Sequence, residues 1–191
     1  MNLNPKDCFV SVDVETAGPI PGVYSLLSIG ACLVEDDSVS FECLLKPISQ
    51  KADPKALKIS GFSLEYLERE GLDPKVTMQR FAEWLGQVAG ARSLVFVGLN
   101  AGFDWSFINY YFHRYLHSNP FGFAALDIKA LYMGATGVDW RESKSSEMVK
   151  LLNPKLTGDH DALNDARAQA ELFRLIIEYR DQKGMGTGIG R

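Results

Sequence analysis

The first apolar stretch of the chain, Cys8 to Val14 (CFVSVDV), alternates in character and is rich in β-branched residues, which predicts a strand. Thr16 to Gly22 (TAGPIPG) holds two glycines and two prolines and reads as a loop. Ser25–Val34 and Val39–Leu45 form a second and third strand around the acidic turn Glu35–Ser38, which makes a hairpin. Short helices are expected around Pro54–Lys58 and Ser63–Glu70, with Ser63 as an N-cap. A longer helix, Pro74–Val88, spaces Val76, Phe81, Leu85 and Val88 at roughly helical intervals and stops at Gly90. Leu94–Gly98 is wholly apolar, as in a strand buried on both faces. A helix over Asp104–Leu116 follows, then a strand at Phe123–Ile128 and a helix through Met133. Gly134–Lys155 is polar and contains Trp140, and a last helix runs from about Asp159 to Gln182. A hairpin of strands followed by alternating helices and strands predicts an α/β fold, one domain over residues 1–183 with a mixed sheet flanked by helices. The tail GMGTGIGR (residues 184–191) alternates glycine but follows a helix rather than a strand, so it reads as a flexible end and not as a phosphate loop.

Composition narrows the function classes. Of 191 residues, 46% are hydrophobic and 23% charged, which excludes a disordered chain, a collagenous repeat and a disulfide-stapled miniprotein. The net charge of −4 excludes a basic, histone-like binder of nucleic acid. It does not exclude a metal enzyme acting on phosphates, because two divalent cations held by four carboxylates would bring the total to about zero. Cys8, Cys32 and Cys43 are odd in number, show no CxxC spacing and lie in strand-like stretches, so they read as buried thiols in a reducing compartment. The N-terminal stretch lacks a basic region followed by a long apolar one, and no run approaches the ~18 apolar residues of a membrane span. A soluble, cytoplasmic protein with no membrane partner is the expectation.

Three polar clusters carry candidate chemistry. Asp13 and Glu15 sit two apart at the end of the first strand, on one face, with Cα atoms roughly 6.6 Å apart. Carboxylates that close repel unless a cation or proton lies between them. Gly98-Leu99-Asn100-Ala101-Gly102-Phe103-Asp104 joins the buried strand to the next helix; Asp104 could be a first-turn acid or cap, and Asn100 could simply hold the turn. Around the last helix stand His160 and Asp165. Asp161 shares a helical face with Asp165, so spacing alone does not choose between them.

Taken together, Asp13-x-Glu15, Phe103-Asp104 and His160-x4-Asp165 resemble the DEDDh family of 3′–5′ exonucleases, which includes polymerase proofreading subunits, RNase T and oligoribonuclease. The likeness runs from Phe9 to Leu172. It implies an RNase H-like fold, a five-stranded mixed sheet flanked by helices with the acids over its central strands. It implies that Asp13, Glu15, Asp104 and Asp165 bind two divalent cations, Mg²⁺ or Mn²⁺, and that His160 is the general base. In that scheme Asp13 bridges the ions, Glu15 and Asp165 serve the nucleophile-side ion, and Asp104 serves the other. Thr16 and Ala17 match the loop whose backbone meets the terminal nucleotide, and Asn100 and Phe103, beside the site, are further candidate substrate-binding residues. Ser28, Gly98-Leu99 and Asp161 depart from common members and bear on substrate preference rather than on the reaction.

The expected substrate is the 3′ end of single-stranded DNA or RNA, released as 5′-mononucleotides. Arg141, Lys144, Lys150 and Lys155 outnumber Glu142 and Glu147 in the polar stretch, which suits Lys144 and its neighbours to guiding the strand or to a solvated surface. Trp105 and Phe62 are stacking candidates, with core packing as the alternative. A member specialised for short or overhanging RNA is a second reading. A catalytically inert nucleic-acid-binding or polymerase-associated module is a rival from another class, and a homodimer is also open.

Overall fold

A computed structural model of the chain describes residues 3–184; all but one of the tail residues lie outside it. Five strands form one sheet in the order β3-β2-β1-β4-β5: β1 (Asp7–Thr16), β2 (Leu26–Leu33), β3 (Ser40–Leu44), β4 (Ser93–Gly98) and β5 (Ala125–Asp127). β1, β2 and β3 pair antiparallel, as the hairpin reading requires, whereas β4 runs parallel to β1 and β5 parallel to β4. The sheet is therefore mixed.

The period of two along β1 sorts its side chains between two cores. Cys8, Val10, Val12 and Val14 pack with Met78, Phe81 and Leu85 of α3 (Pro74–Ala89) and with Phe107, Ile108 and Tyr111 of α4 (Gly102–Leu116). Phe9 faces the other way, its ring 5.4 Å from Phe173 of α7 (Ala162–Gln182). That second layer also takes Ile128 and Tyr132 of α5 (Ile128–Thr136) and Met148 of α6 (Ser145–Leu152). Asp13 and Glu15 share the parity of Phe9, so they stand on the α7 face.

Two short helices, α1 (Pro54–Ser60) and α2 (Leu64–Glu70), follow β3 and pack Leu57, Leu64 and Leu67 with Ala17 and Leu27; Ser63 caps α2 by accepting from Tyr66 N at 3.1 Å. Asp73 caps α3 ahead of Pro74, and Gly90 ends it at φ 56°. Along α3 the core positions are Thr77, Met78, Phe81, Leu85 and Ala89, while Val76 turns to solvent and Val88 is half-buried.

Several elements differ from the sequence expectation. β1 continues to Thr16, so Asp13 and Glu15 lie within the strand. The strand expected at Phe123–Ile128 shrinks to Ala125–Asp127 because Asp127 caps α5, accepting from Ala130 N at 3.0 Å; Phe123 is 96% exposed. The polar stretch Gly134–Lys155 contains α6, whose single buried residue is Met148. α7 begins at Ala162, not near Asp159, because Asp161 accepts from Asn164 N at 2.9 Å and caps it there. Among the described residues no helix is long and apolar enough to cross a membrane.

Candidate active site

The four carboxyls reach the site from three elements, β1, α4 and α7. Asp13 and Glu15 project from β1. Asp13 lies opposite Gly30 of β2, where any Cβ would collide with the Ala162 carbonyl group and Leu163 N at the start of α7. A glycine at that position lets the helix rest directly on the strand. Asp165, one turn into α7, is thereby lowered toward Asp13 and Glu15. Gly158 does the same for the preceding loop, since a Cβ there would stand 2.5 Å from Asp165 Oδ1. Asp159 N donates to that oxygen at 2.8 Å.

Asp104 arrives by the turn after β4. Asn100 adopts φ 56°, Ala101 N donates to Asp127 Oδ2 at 2.6 Å, and α4 starts at Gly102. Asp104 caps nothing in α4; its Oδ1 accepts from Val14 N of β1 at 3.1 Å, and the residue is buried. Asp161 caps α7, while Asp165 brings a carboxylate oxygen within 4.8 Å of ligand atoms of Glu15 and His160.

His160 lies in the loop before α7, exposed and at φ 65°. One ligand atom each from Glu15, His160 and Asp165 fall within 4.8 Å of one another. The structure thus brings together all five residues singled out by the sequence motifs.

The electrostatics are those of crowded, buried acids. Burial, then repulsion from Asp104, Asp165 and Glu15, holds the Asp13 carboxyl well above the usual range, against a lowering hydrogen bond from Gln169. Burial and the charges of Asp165, Asp104 and Asp161 raise Glu15 to about 7. Burial likewise lifts Asp104 to about 7, and Asp165 is raised for the same first reason. Four hard oxygen donors under mutual repulsion form a set that divalent cations of the Mg²⁺ or Mn²⁺ type fit, and the three cysteines, all free, are absent from it.

A cleft of about 700 Å³ opens over Asp13, His160 and Asp165, with Ser146, Val149 and Lys150 of α6 along its rim. Lys144, the expected guide, is not on that rim; it lines a neighbouring cavity with Arg141 and Tyr179, and Lys150 borders both. Thr16 and Ala17 are buried, and their polar groups are engaged within the protein: Thr16 Oγ1 donates to Gly18 O, Ala17 N to Ser25 O, and Ala17 O accepts from Asp53 N. Asn100 is exposed, and Phe103 offers a ring 41% exposed beside Phe107. Phe62 stacks on Tyr66 and packs with Ala17 and Leu27, while Trp105 sits edge-on to Phe96 at 5.3 Å.

Gln169 escaped the sequence reading. Its Nε2 donates to Asp13 Oδ1 at 2.6 Å and its Oε1 accepts from Leu99 N at 2.9 Å, so one buried amide ties β1, the turn after β4 and α7 together. The only signal for it was its place four residues beyond Asp165, on the same face of the helix.

A family model described as "Exonuclease" matches residues 10–173. The chain is 57% identical over 179 residues to the 3′-5′ DNA exonuclease Cap18 of Escherichia coli, covering 93% of this chain and 96% of that protein. It is 26% identical to a PolC-type DNA polymerase III of Thermotoga maritima, over 12% of the polymerase's length. Among solved structures, the nuclease domain of 3′hExo, a DEDDh family member bound to rAMP, superposes with a TM-score of 0.71 at 15% identity, covering 91% of this chain and 94% of that one. Escherichia coli exonuclease I in complex with a dT13 oligonucleotide gives 0.70 at 17%, and the chain spans 42% of that protein's length. The mixed sheet with helices on both faces is thus of the RNase H-like type.

Proposed function

The chain belongs to the exonuclease family and is a 3′–5′ exonuclease, and from that premise we propose that it acts on single-stranded DNA, releasing 5′-mononucleotides through the carboxyl cluster at the head of α7. The observation that carries this reading is the meeting of Asp13, Glu15, Asp104, Asp165 and His160 from three separate segments of the chain, beside a cleft lined by Asp13, His160 and Asp165. DNA is chosen over RNA because the Cap18 relative, matched over nearly its full length, is a DNA exonuclease.

The family uses divalent metal ions, and here Asp13, Glu15, Asp104 and Asp165 would hold two of them, Mg²⁺ or Mn²⁺. When bound, they supply Lewis-acid stabilisation of the attacking and leaving oxygens of the phosphodiester. The chain's own residues do the rest. Gln169 fixes the Asp13 carboxyl, Val14 N fixes Asp104, and Asp159 N fixes Asp165, so the acids are oriented before substrate arrives. His160, exposed at the cleft mouth, takes the proton of the attacking water. The Phe103 ring is placed to stack on a base of the strand end. Free thiols at Cys8, Cys32 and Cys43 suit a reducing compartment, and we assign the enzyme to the cytoplasm.

Purified protein incubated with 3′-labelled and 5′-labelled single strands of DNA and RNA tests the reading. Stepwise shortening of DNA from the 3′ end, dependent on Mg²⁺ or Mn²⁺ and stopped by EDTA, is expected. Binding without cleavage under every metal condition overturns it, and faster cleavage of RNA overturns the choice of DNA.

A further inference from the structure

Beyond Phe103, a groove of about 800 Å³ runs along the solvent side of α4. Trp105, Asn109 and His113, four residues apart, make one row of it, and Ser106, Tyr110 and Arg114 make the next. Pro21, in the loop after β1, forms the facing wall, and its neighbour Gly22 sits so near Tyr110 that a Cβ would lie 2.7 Å from the hydroxyl. Both walls originate at the carboxyl cluster. The loop leaves β1 just after Glu15 and Thr16, and α4 carries Asp104 one residue from Phe103, whose carbonyl accepts from Ser106 Oγ at 2.7 Å.

The chemistry of the groove is opposite to that of the site it joins. Among the described residues no carboxylate lines it. Arg114 supplies a permanent cation, oriented by a 2.7 Å hydrogen bond to Tyr110 Oη and stacked 5.8 Å above that ring. The indole of Trp105 is held edge-on by Phe96 and Phe121, a fixed aromatic surface rather than a mobile one. A cation, fixed rings, a hydroxyl and an amide along one path are what a chain of phosphates and bases requires. The carboxyl cluster by itself repels phosphate.

We propose that this groove holds the part of the single-stranded substrate that lies 5′ of the nucleotide being removed, with phosphates at Arg114 and His113 and bases against Trp105 and Tyr110. The proposal rests on the function argued above and extends that site outward. From Ser106 to Arg114 the helix rises about 12 Å, room for three or four stacked nucleotides at about 3.4 Å each.

Binding of 5′-fluorescein-labelled phosphorothioate oligothymidylates of 3 and 12 nucleotides, measured by anisotropy with Mn²⁺, tests it on the full chain. The wild-type protein is expected to bind the 12-mer at least tenfold more tightly than the 3-mer. Arg114→Glu and Ser106→Glu, both on the surface row, should each cut that ratio below threefold. A ratio retained in either variant, or a wild-type protein indifferent to length, overturns the groove. A wild-type protein that shows the length effect yet leaves the ordinary phosphodiester 12-mer uncut supports the groove and speaks against the hydrolytic function alone.

Discussion

At the residue scale, the site depends on carboxyls that the protein holds in place but does not neutralise. Asp13 and Asp165 each receive a hydrogen bond from within the chain, yet both remain among other acids. Replacing either by Ala should therefore remove hydrolysis by at least a factor of about 10³, since the electrostatic stabilisation it helps to build is the dominant contribution to such reactions. The fold should persist, because a like-charge repulsion is lost with the side chain; unfolding curves of the metal-free variants check that point, and retained Mg²⁺-dependent cleavage would refute the ligand role. Gln169 acts one step further out. Gln169→Leu leaves Asp13 without its donor and Leu99 N without its acceptor. The Mn²⁺ concentration giving half-maximal rate is expected to rise roughly 10- to 100-fold, the usual effect of losing an orienting partner behind a metal ligand. If only the melting temperature falls and the Mn²⁺ dependence is unmoved, Gln169 is a packing residue and nothing more.

At the element scale, what sequence patterns could and could not reveal follows from how each element is stabilised. β1, β2 and β4 were legible because the sheet interior demands unbroken apolar or alternating runs, and the acids within β1 stood out against them. α6 was illegible because it buries one side chain, Met148, and is otherwise polar, so its pattern resembles a loop. The start of α7 was set too early because Asp159, His160 and Asp161 all suit a helix entrance, and only the bond from Asn164 N to Asp161 decides among them. The five candidate site residues could be named from motifs, but their convergence depends on Gly30, which lies outside the three acidic motifs. Gly30→Ala should force α7 away from β2, since the new methyl would meet backbone rather than a yielding side chain. A destabilisation of at least ~1–3 kcal/mol is expected from overpacking of this kind. Loss of activity should exceed what the unfolded fraction explains, because Asp165 and His160 move with the helix. Thermal unfolding together with kcat at a temperature where the variant is folded separates the two effects, and a stable, fully active variant would show that α7 docks by other contacts.

At the scale of the whole molecule, an acidic protein with four raised carboxyls must couple folding, protons and cations. Burial and mutual repulsion lift Glu15 and Asp104 to about 7, far above the ordinary 3.9–4.3 of unfolded chains. The folded state therefore holds these protons more tightly than the unfolded state does. The resulting stabilisation is complete below about pH 4 and is lost as pH rises through 7. Divalent cations bind the deprotonated form, so they restore above pH 7 what deprotonation removed, and their binding releases protons. The melting temperature of the metal-free enzyme should accordingly fall between pH 5.5 and pH 8. The rise produced by saturating Mg²⁺ or Mn²⁺ should be slight at pH 5.5 and reach several degrees at pH 8, given roughly 2–4 °C per kcal/mol for a chain of this size. Asp104→Asn takes one acid out of the cluster, so its metal-free form should melt higher than the wild type at pH 8 and gain less from the cation. A cation-induced shift that stays constant across the same pH range would mean that the four carboxyls do not share one site.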